Sequence, residues 1–340
     1  MENAARNHLP PLFLMGPNRS GGTLLSRILD SHSRIAVYNE SYYYTFFRPD
    51  LHRYGDLSRL SNLLRLIADL REVICAQKLM KPPGVEEFLD ALVAPTFEGI
   101  LTTLLHLYAH QQGKVRAGDK TPGHYLYLAE ILERFPHSPV IFYIRDPRDT
   151  AFSNREAYGA SLRGPAWSWN KAVESYRKSS RPVHLARYED LVREPEQAVR
   201  AICAFVGEEY EPQMFRFYER IPSQLAARPH HRDLLRPVDP TLAGRFRQMP
   251  KQDIEWIESA CASGMEALGY SFAGSKPKLA GITAPTEFDL FTDRLRWYRW
   301  NWRRWRRGWM RWKIVLRVRL RYLLSLGWLQ KCTVQSNPER

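Results

Sequence analysis

Cysteine is scarce in this chain: Cys75, Cys203, Cys261 and Cys332 are the four in 340 residues, and no two form a CxxC pair. That dispersal excludes a disulfide framework and a cysteine-built metal site, and it reads as reduced, cytosolic usage. His32, His124 and His184 lack metal-ligand spacing, so no metal is expected. No apolar run reaches the ~18 residues of a membrane-spanning helix. The polar start at residues 1–8 and the short apolar run after it do not make a signal peptide, so the expectation is a cytosolic protein. Acidic residues are missing from residues 294–321, which hold twelve Lys or Arg. Nearly all of the formal net charge of +14 therefore belongs to one C-terminal stretch, and the body is close to neutral. A nucleic-acid-binding body is not expected.

The most informative absence is a single lysine. Gly16-Pro17-Asn18-Arg19-Ser20-Gly21-Gly22-Thr23 has the spacing of the nucleotide-binding G-x4-G-K-[ST] loop, but Gly22 stands where the lysine belongs. An apolar run at 11–15 precedes the loop, and a helical pattern from Leu24 comes after it. Strand, glycine loop and helix in that order present backbone N–H groups and a helix N-terminus to an anion. A triphosphate site needs the lysine at its β- and γ-phosphates. The loop therefore reads as a phosphate binder of another kind than an ordinary ATPase. Asp146 follows an apolar strand as a Mg²⁺-binding acid does, but without the loop lysine it is not assigned to a metal.

Hydrophobic residues at 44% and aromatics at 12% are ample for a folded core. Residues 10–40 read strand, loop, helix, strand, the second strand ending at Asn39-Glu40. Residues 56–112 are mostly helical, with Leu57, Leu60, Leu63, Leu64 and Ile67 at helical spacing. Further strands are expected near 115–118, at 139–144 and at 183–187. Thr121 and Pro122 form a helix-start signal for a helix through Leu132, and another helix starts at Pro147. Strands alternating with helices predict an α/β fold, a parallel sheet covered by helices on both faces. Ligands of such sheets bind beyond the carboxyl ends of the strands. Arg19, Glu40, Lys120, Arg145 and Tyr188 all come after strand-like runs, so they are expected to converge on one crevice. The predicted organisation is an α/β domain over 1–272, a linker at 273–287, an Arg/Trp-rich amphipathic helix at 288–330 and a tail at 331–340.

With the loop, Arg145 at a strand end and Tyr188-Glu189-Asp190-Leu191 in hand, residues 10–270 resemble the PAPS-dependent sulfotransferases, whose donor is 3'-phosphoadenosine 5'-phosphosulfate. The spacing is most similar to the tyrosylprotein and bacterial branch, where R-S-G-T-T-L is followed about twenty residues later by a catalytic glutamate. Here the match is Arg19-Ser20-Gly21-Gly22-Thr23-Leu24, then Glu40. The resemblance implies a P-loop-type fold, PAPS as co-substrate and PAP as product. It implies that the loop from Arg19 to Leu24 holds the 5' end, that Arg145 and Ser153 hold the 3'-phosphate, and that Tyr188 and Arg236 line the donor site. Glu40 is implied as the base on the acceptor hydroxyl, and Lys120 as the cation at the departing oxygen. Gly22 replaces the threonine common in that branch, which implies modestly looser donor binding. The segment after Glu40, Ser41-Tyr42-Tyr43-Tyr44-Thr45-Phe46-Phe47, lacks the arginines that suit acidic peptides. Its aromatics fit a glycan face, a phenol or a lipid, and equally well core packing.

In the C-terminal stretch, Leu295, Tyr298, Trp302, Trp305, Trp309, Trp312, Leu316, Leu320 and Leu323 recur at steps of three or four, with arginines mostly off that stripe. Such a helix suits the interface of an anionic membrane, so residues 291–323 are expected to hold the protein peripherally on the inner face. Packing of the stripe on the protein itself, or on a second copy in a homodimer, stays open in the sequence. Two other readings of the whole chain remain beside the sulfotransferase one: a P-loop kinase, and a catalytically silent PAP-binding or membrane-scaffold protein.

Overall fold

The computed structural model describes residues 9–77, 79–221 and 229–274. The 288–330 helix, the 331–340 tail and all of the linker beyond residue 274 lie outside the described residues. The described residues divide into two compact units, 9–41 with 105–274, and 42–104. Residues 42–104 make up the second of these units.

The first unit opens with β1 (Leu12–Met15), α1 (Gly22–Asp30) and β2 (Ile35–Asn39). The second contributes α2 (Tyr43–Phe47), α3 (Leu60–Gln77) and α4 (Val85–Asp90), and α5 (Phe97–Gln111) carries the chain back. The first unit then continues with β3 (Arg116–Lys120), α6 (Leu128–Arg134), β4 (Val140–Ile144), α7 (Pro147–Tyr158) and α8 (Arg163–Arg177). After these come β5 (His184–Arg187), α9 (Tyr188–Arg193), α10 (Pro195–Val206) and α11 (Lys251–Ala267). Every expected strand is present.

The five strands form one sheet in the order β2-β3-β1-β4-β5, and each pairing is parallel. Side chains alternate across a strand, so β1 serves both faces. Leu12 and Leu14 pack with Leu25, Ile28 and Leu29 of α1 and with Val199 and Ile202 of α10. On the other face Phe13 meets Phe135 edge-on at 4.9 Å, and Phe142 of β4 lies 5.1 Å from Tyr176 of α8. Each such fully buried side chain stabilises the fold by roughly 1.5–3 kcal/mol. Burial on both faces accounts for the apolar run of β4, and helices cover both sides as expected.

The segments that leave β4 and β3 begin in different ways. At α7, Asp146 caps the helix by accepting the Arg148 N–H at 2.9 Å, with Pro147 in the first turn. The Arg148 guanidinium is then held by Asp146 at 2.6 Å and by Glu258 of α11. After β3 the outcome differs from the expected helix. Residues Pro122–Tyr127 form a 3-10 helix before α6, and Thr121 makes no side-chain cap. Its hydroxyl donates to Asp119 instead, at 3.1 and 3.2 Å to the two carboxylate oxygens.

The second unit settles the aromatic segment after Glu40. Tyr43, Tyr44 and Phe47 are buried, and Tyr43 stacks on Phe97 with 4.3 Å between ring centroids. The Tyr43 hydroxyl donates to the Phe97 carbonyl at 2.9 Å. These three are core. Tyr42 and Phe46 stack on each other at 5.0 Å and remain partly exposed.

Candidate active site

The loop between β1 and α1 turns on two left-handed residues, Arg19 at φ 66° and Gly21 at φ 87°. Glycine adopts that region without penalty, whereas a non-glycine residue there costs about 1–3 kcal/mol and marks functional sites. Gly21 is also the N-terminal cap of α1; its carbonyl accepts the Leu25 N–H at 3.0 Å. The N–H groups of Gly22, Thr23 and Leu24 belong to the first turn, where no intrahelical acceptor exists. No acidic residue occupies that turn, so its positive end is uncompensated. Leu24's side chain packs against the core, leaving its N–H as the group an anion can use.

Gly22 has a structural reason as well as a chemical one. A Cβ built on Gly22 would lie 2.3 Å from Cζ of Tyr143, and one on Gly21 would lie 2.5 Å from Cδ2 of Tyr188. Both rings are buried, Tyr143 on the interior strand β4, between β1 and β5, and Tyr188 at the start of α9. The loop therefore lies directly on two tyrosine rings, and no side chain fits at position 22, lysine or threonine. The glycine at position 22 follows from the Tyr143 ring beneath it.

At the carboxyl ends of β2 and β3, Lys120 Nζ lies 3.0 Å from Glu40 Oε1 and donates at 3.4 Å to the Thr23 hydroxyl of α1. The Lys120 side chain is 1% exposed and that of Glu40 14%. Burial pulls the Lys120 pKa below the ordinary lysine value, and the Glu40 carboxylate opposes that shift. Glu40 is itself left-handed, at φ 68°, and its N–H continues the sheet by donating to the Lys120 carbonyl at 2.6 Å.

On the β4 side, Arg19 Nε donates to the Ser153 hydroxyl at 3.1 Å, and the Ser20 hydroxyl meets that of Thr150 at 3.3 Å. Arg145 pairs with Asp149 at 3.2 Å and donates to the Leu242 carbonyl. Its guanidinium stacks 4.2 Å from the Tyr188 ring centre. Tyr188 is thus held between Gly21 and Arg145. Ser153, expected to act with Arg145, is bonded to Arg19. Arg236 pairs with Asp233 at 2.6 Å and Asp239 at 3.3 Å and is about half exposed. Those are acidic partners of its own segment.

Arg19, Ser20, Gly21, Gly22, Thr23, Glu40, Lys120, Arg145, Ser153 and Tyr188 are therefore gathered at one end of the sheet. Four more residues belong to the same structure. Asp149 and Thr150 fix Arg145 and Ser20, Tyr143 supports the loop, and buried Asp119 ties Ser41 to Thr121. The i, i+4 spacing of Arg145 and Asp149 is visible in the sequence. The contacts of Thr150 with Ser20 and of Asp119 with Ser41 cross 130 and 78 residues, and that of Tyr143 lies beneath a glycine. No local pattern signals these three. Chemically, the site offers an anion cradle, a cation beside it and a carboxylate touching that cation. It can hold a phosphate-like group, accept a proton and neutralise an oxygen that gains charge.

Residues 10–212, more than half of the chain, match the family described as the Sulfotransferase family. A Caenorhabditis briggsae protein named "Putative protein-tyrosine sulfotransferase" is 25% identical over 226 residues, covering 63% of this chain and 71% of that protein. An uncharacterized protein of Aquifex aeolicus (strain VF5) is 24% identical over 223 residues, covering 62% of this chain. The chain spans only 27% of that relative's length. Among solved structures, the sulfotransferase domain of the Synechococcus PCC 7002 olefin synthase superposes with a TM-score of 0.51 at 19% identity. That superposition covers 79% of this chain and 98% of that domain. It shares the fold.

Proposed function

This chain belongs to the sulfotransferase family, and from that premise we propose that it moves the sulfuryl group of PAPS to an acceptor hydroxyl. The observation that carries the reading is the Lys120–Glu40 contact of 3.0 Å beside a lysine-free phosphate loop. The N–H groups of α1's first turn, with Arg19, Ser20 and Thr23, hold the 5' end of the donor. Arg145, Ser153 and Tyr188 hold its nucleotide end, where a guanidinium matches the planar fork a phosphate accepts. Arg236 joins them by exchanging Asp233 and Asp239 for the donor. Glu40 takes the proton of the acceptor hydroxyl as its oxygen bonds to sulfur. Lys120 meets the charge left on the phosphate oxygen as the old S–O bond breaks, the kind of interaction that is often the larger catalytic term. The acceptor class is a small-molecule, phenolic, glycan or lipid-linked hydroxyl, since residues 41–47 carry no arginine for an acidic peptide.

A thermal-shift comparison of PAP with ADP and ATP tests the donor. At one hundred times its Kd, PAP should stabilise the protein by about 2.7 kcal/mol. Stabilisation by ATP and not by PAP sinks the reading. The Arg/Trp-rich residues 291–323 are proposed to hold the protein at an anionic membrane surface, a reading that rests on the sequence alone. Full-length protein should sediment with anionic liposomes and a 1–285 form should not. If both stay in the supernatant, that placement is wrong.

A further inference from the structure

The two residues assigned to chemistry sit at the ends of different strands, and each has a neighbour in the same buried cluster. Asp119 precedes Lys120 on β3 and is 0% exposed. Its Oδ1 accepts the Ser41 N–H at 3.2 Å, and its Oδ2 accepts the Ser41 hydroxyl at 2.9 Å. The Thr121 hydroxyl donates to the same carboxylate, and His124 Nδ1 lies 3.0 Å from Oδ2. Ser41 follows Glu40, and Thr121 follows Lys120. One carboxylate therefore holds the residue beyond the base and the residue beyond the cation.

The backbone explains why a clasp is needed. Glu40 leaves β2 with φ at 68°, a conformation a side-chain-bearing residue keeps only when its surroundings over-determine it. Its own N–H is fixed by the Lys120 carbonyl at 2.6 Å, and the next N–H, of Ser41, by Asp119. The left-handed turn is thus bonded on both sides, and both bonds come from consecutive residues of β3. That turn sets the direction of the Glu40 side chain towards Lys120.

We propose that Asp119 is a positioning residue for sulfuryl transfer, locking the Glu40 turn against β3 so that base and cation keep their relative placement. The inference rests on the roles proposed for Glu40 and Lys120. It assigns Asp119 no contact with donor or acceptor.

The test uses full-length protein with Asp119→Asn and Ser41→Ala. It measures turnover of labelled PAPS with a panel of water, a phenol, a monosaccharide and a long-chain alcohol. PAP affinity by calorimetry and amide exchange at residues 40 and 41 complete it. Misplacing reacting groups by about 1 Å costs on the order of 10²-fold, so kcat of Asp119→Asn should fall by about that factor. KM for PAPS and the PAP affinity should stay unchanged, because the loop and Arg145 are untouched. Ser41→Ala, which keeps the backbone bond, should show a smaller loss of the same kind. Amide exchange at Ser41 should accelerate by at least about tenfold in Asp119→Asn while Phe142 of β4 stays protected. If Asp119→Asn does not fold, Ser41→Ala carries the test: lower kcat at unchanged PAP affinity supports the clasp. Unchanged kcat, or PAP affinity falling in step with kcat, overturns it. A wild-type protein that neither binds PAP nor turns over PAPS defeats the proposed function instead. The exchange data then still decide whether Asp119 holds the turn.

Discussion

Glu40→Ala is expected to lower sulfuryl transfer by about 10²–10⁴-fold, the worth of a positioned general base, while PAP still binds. The separation follows from the contacts. Glu40 bonds to Lys120 and through its backbone to β3, whereas the anion cradle is built from α1, Arg19 and the β4 side. Removing the carboxylate deprives Lys120 of its nearest counter-charge, and burial already disfavours that ammonium. The same variant should therefore lower the Lys120 pKa further, which carbon-13 NMR of the lysine side chain can read. Loss of PAP affinity equal to the loss of rate would place Glu40 in donor binding instead of proton transfer.

Gly22→Lys is the second large effect. It restores the residue that an ATP-binding loop carries, yet it should make a worse protein and no ATP site. The new Cβ would approach the Tyr143 ring at 2.3 Å, and Tyr143 lies on β4, flanked by β1 and β5. Neither backbone can retreat cheaply. Overpacking of this kind costs about 1–3 kcal/mol or more, readable as a shift of the denaturation midpoint. PAP affinity should fall at least about tenfold, equivalent to 1.4 kcal/mol, because the first-turn N–H groups move with the loop. Gly22→Lys/Tyr143→Ala should recover part of the stability, since residues in contact are not additive. A stable Gly22→Lys protein that binds ATP would show that the glycine reflects lost function and not the ring beneath it.

Much of the fold is legible in the sequence because its signals are local. An apolar β-branched run before Arg145, a glycine loop after residues 11–15 and a proline at the start of α7 each define an element within a few residues. The parallel sheet and the convergence of loop and strand ends follow from that alternation. The rest is set by contacts between distant segments. Thr121 has the form of a helix cap, but buried Asp119 competes for its hydroxyl and wins. The tyrosines and phenylalanines after Glu40 have two equal readings in the sequence, because their burial depends on Phe97, about fifty residues on. Gly22 draws attention for the side chain it lacks, whereas its neighbour Tyr143 is 121 positions away in the chain. Arg145 and Ser153 have helical spacing, but only the folded loop brings Arg19 to Ser153.

Transfer of label from sulfur-35 PAPS, with PAP release measured in the same reaction, bears most directly on the central claim. If Glu40 acts on the acceptor and Lys120 on PAPS, label should appear in an acceptor hydroxyl in step with PAP in the wild type, and its transfer should fall by about 10²–10⁴-fold in Glu40→Ala. Undiminished transfer by Glu40→Ala, or a wild type that releases no PAP, would contradict it.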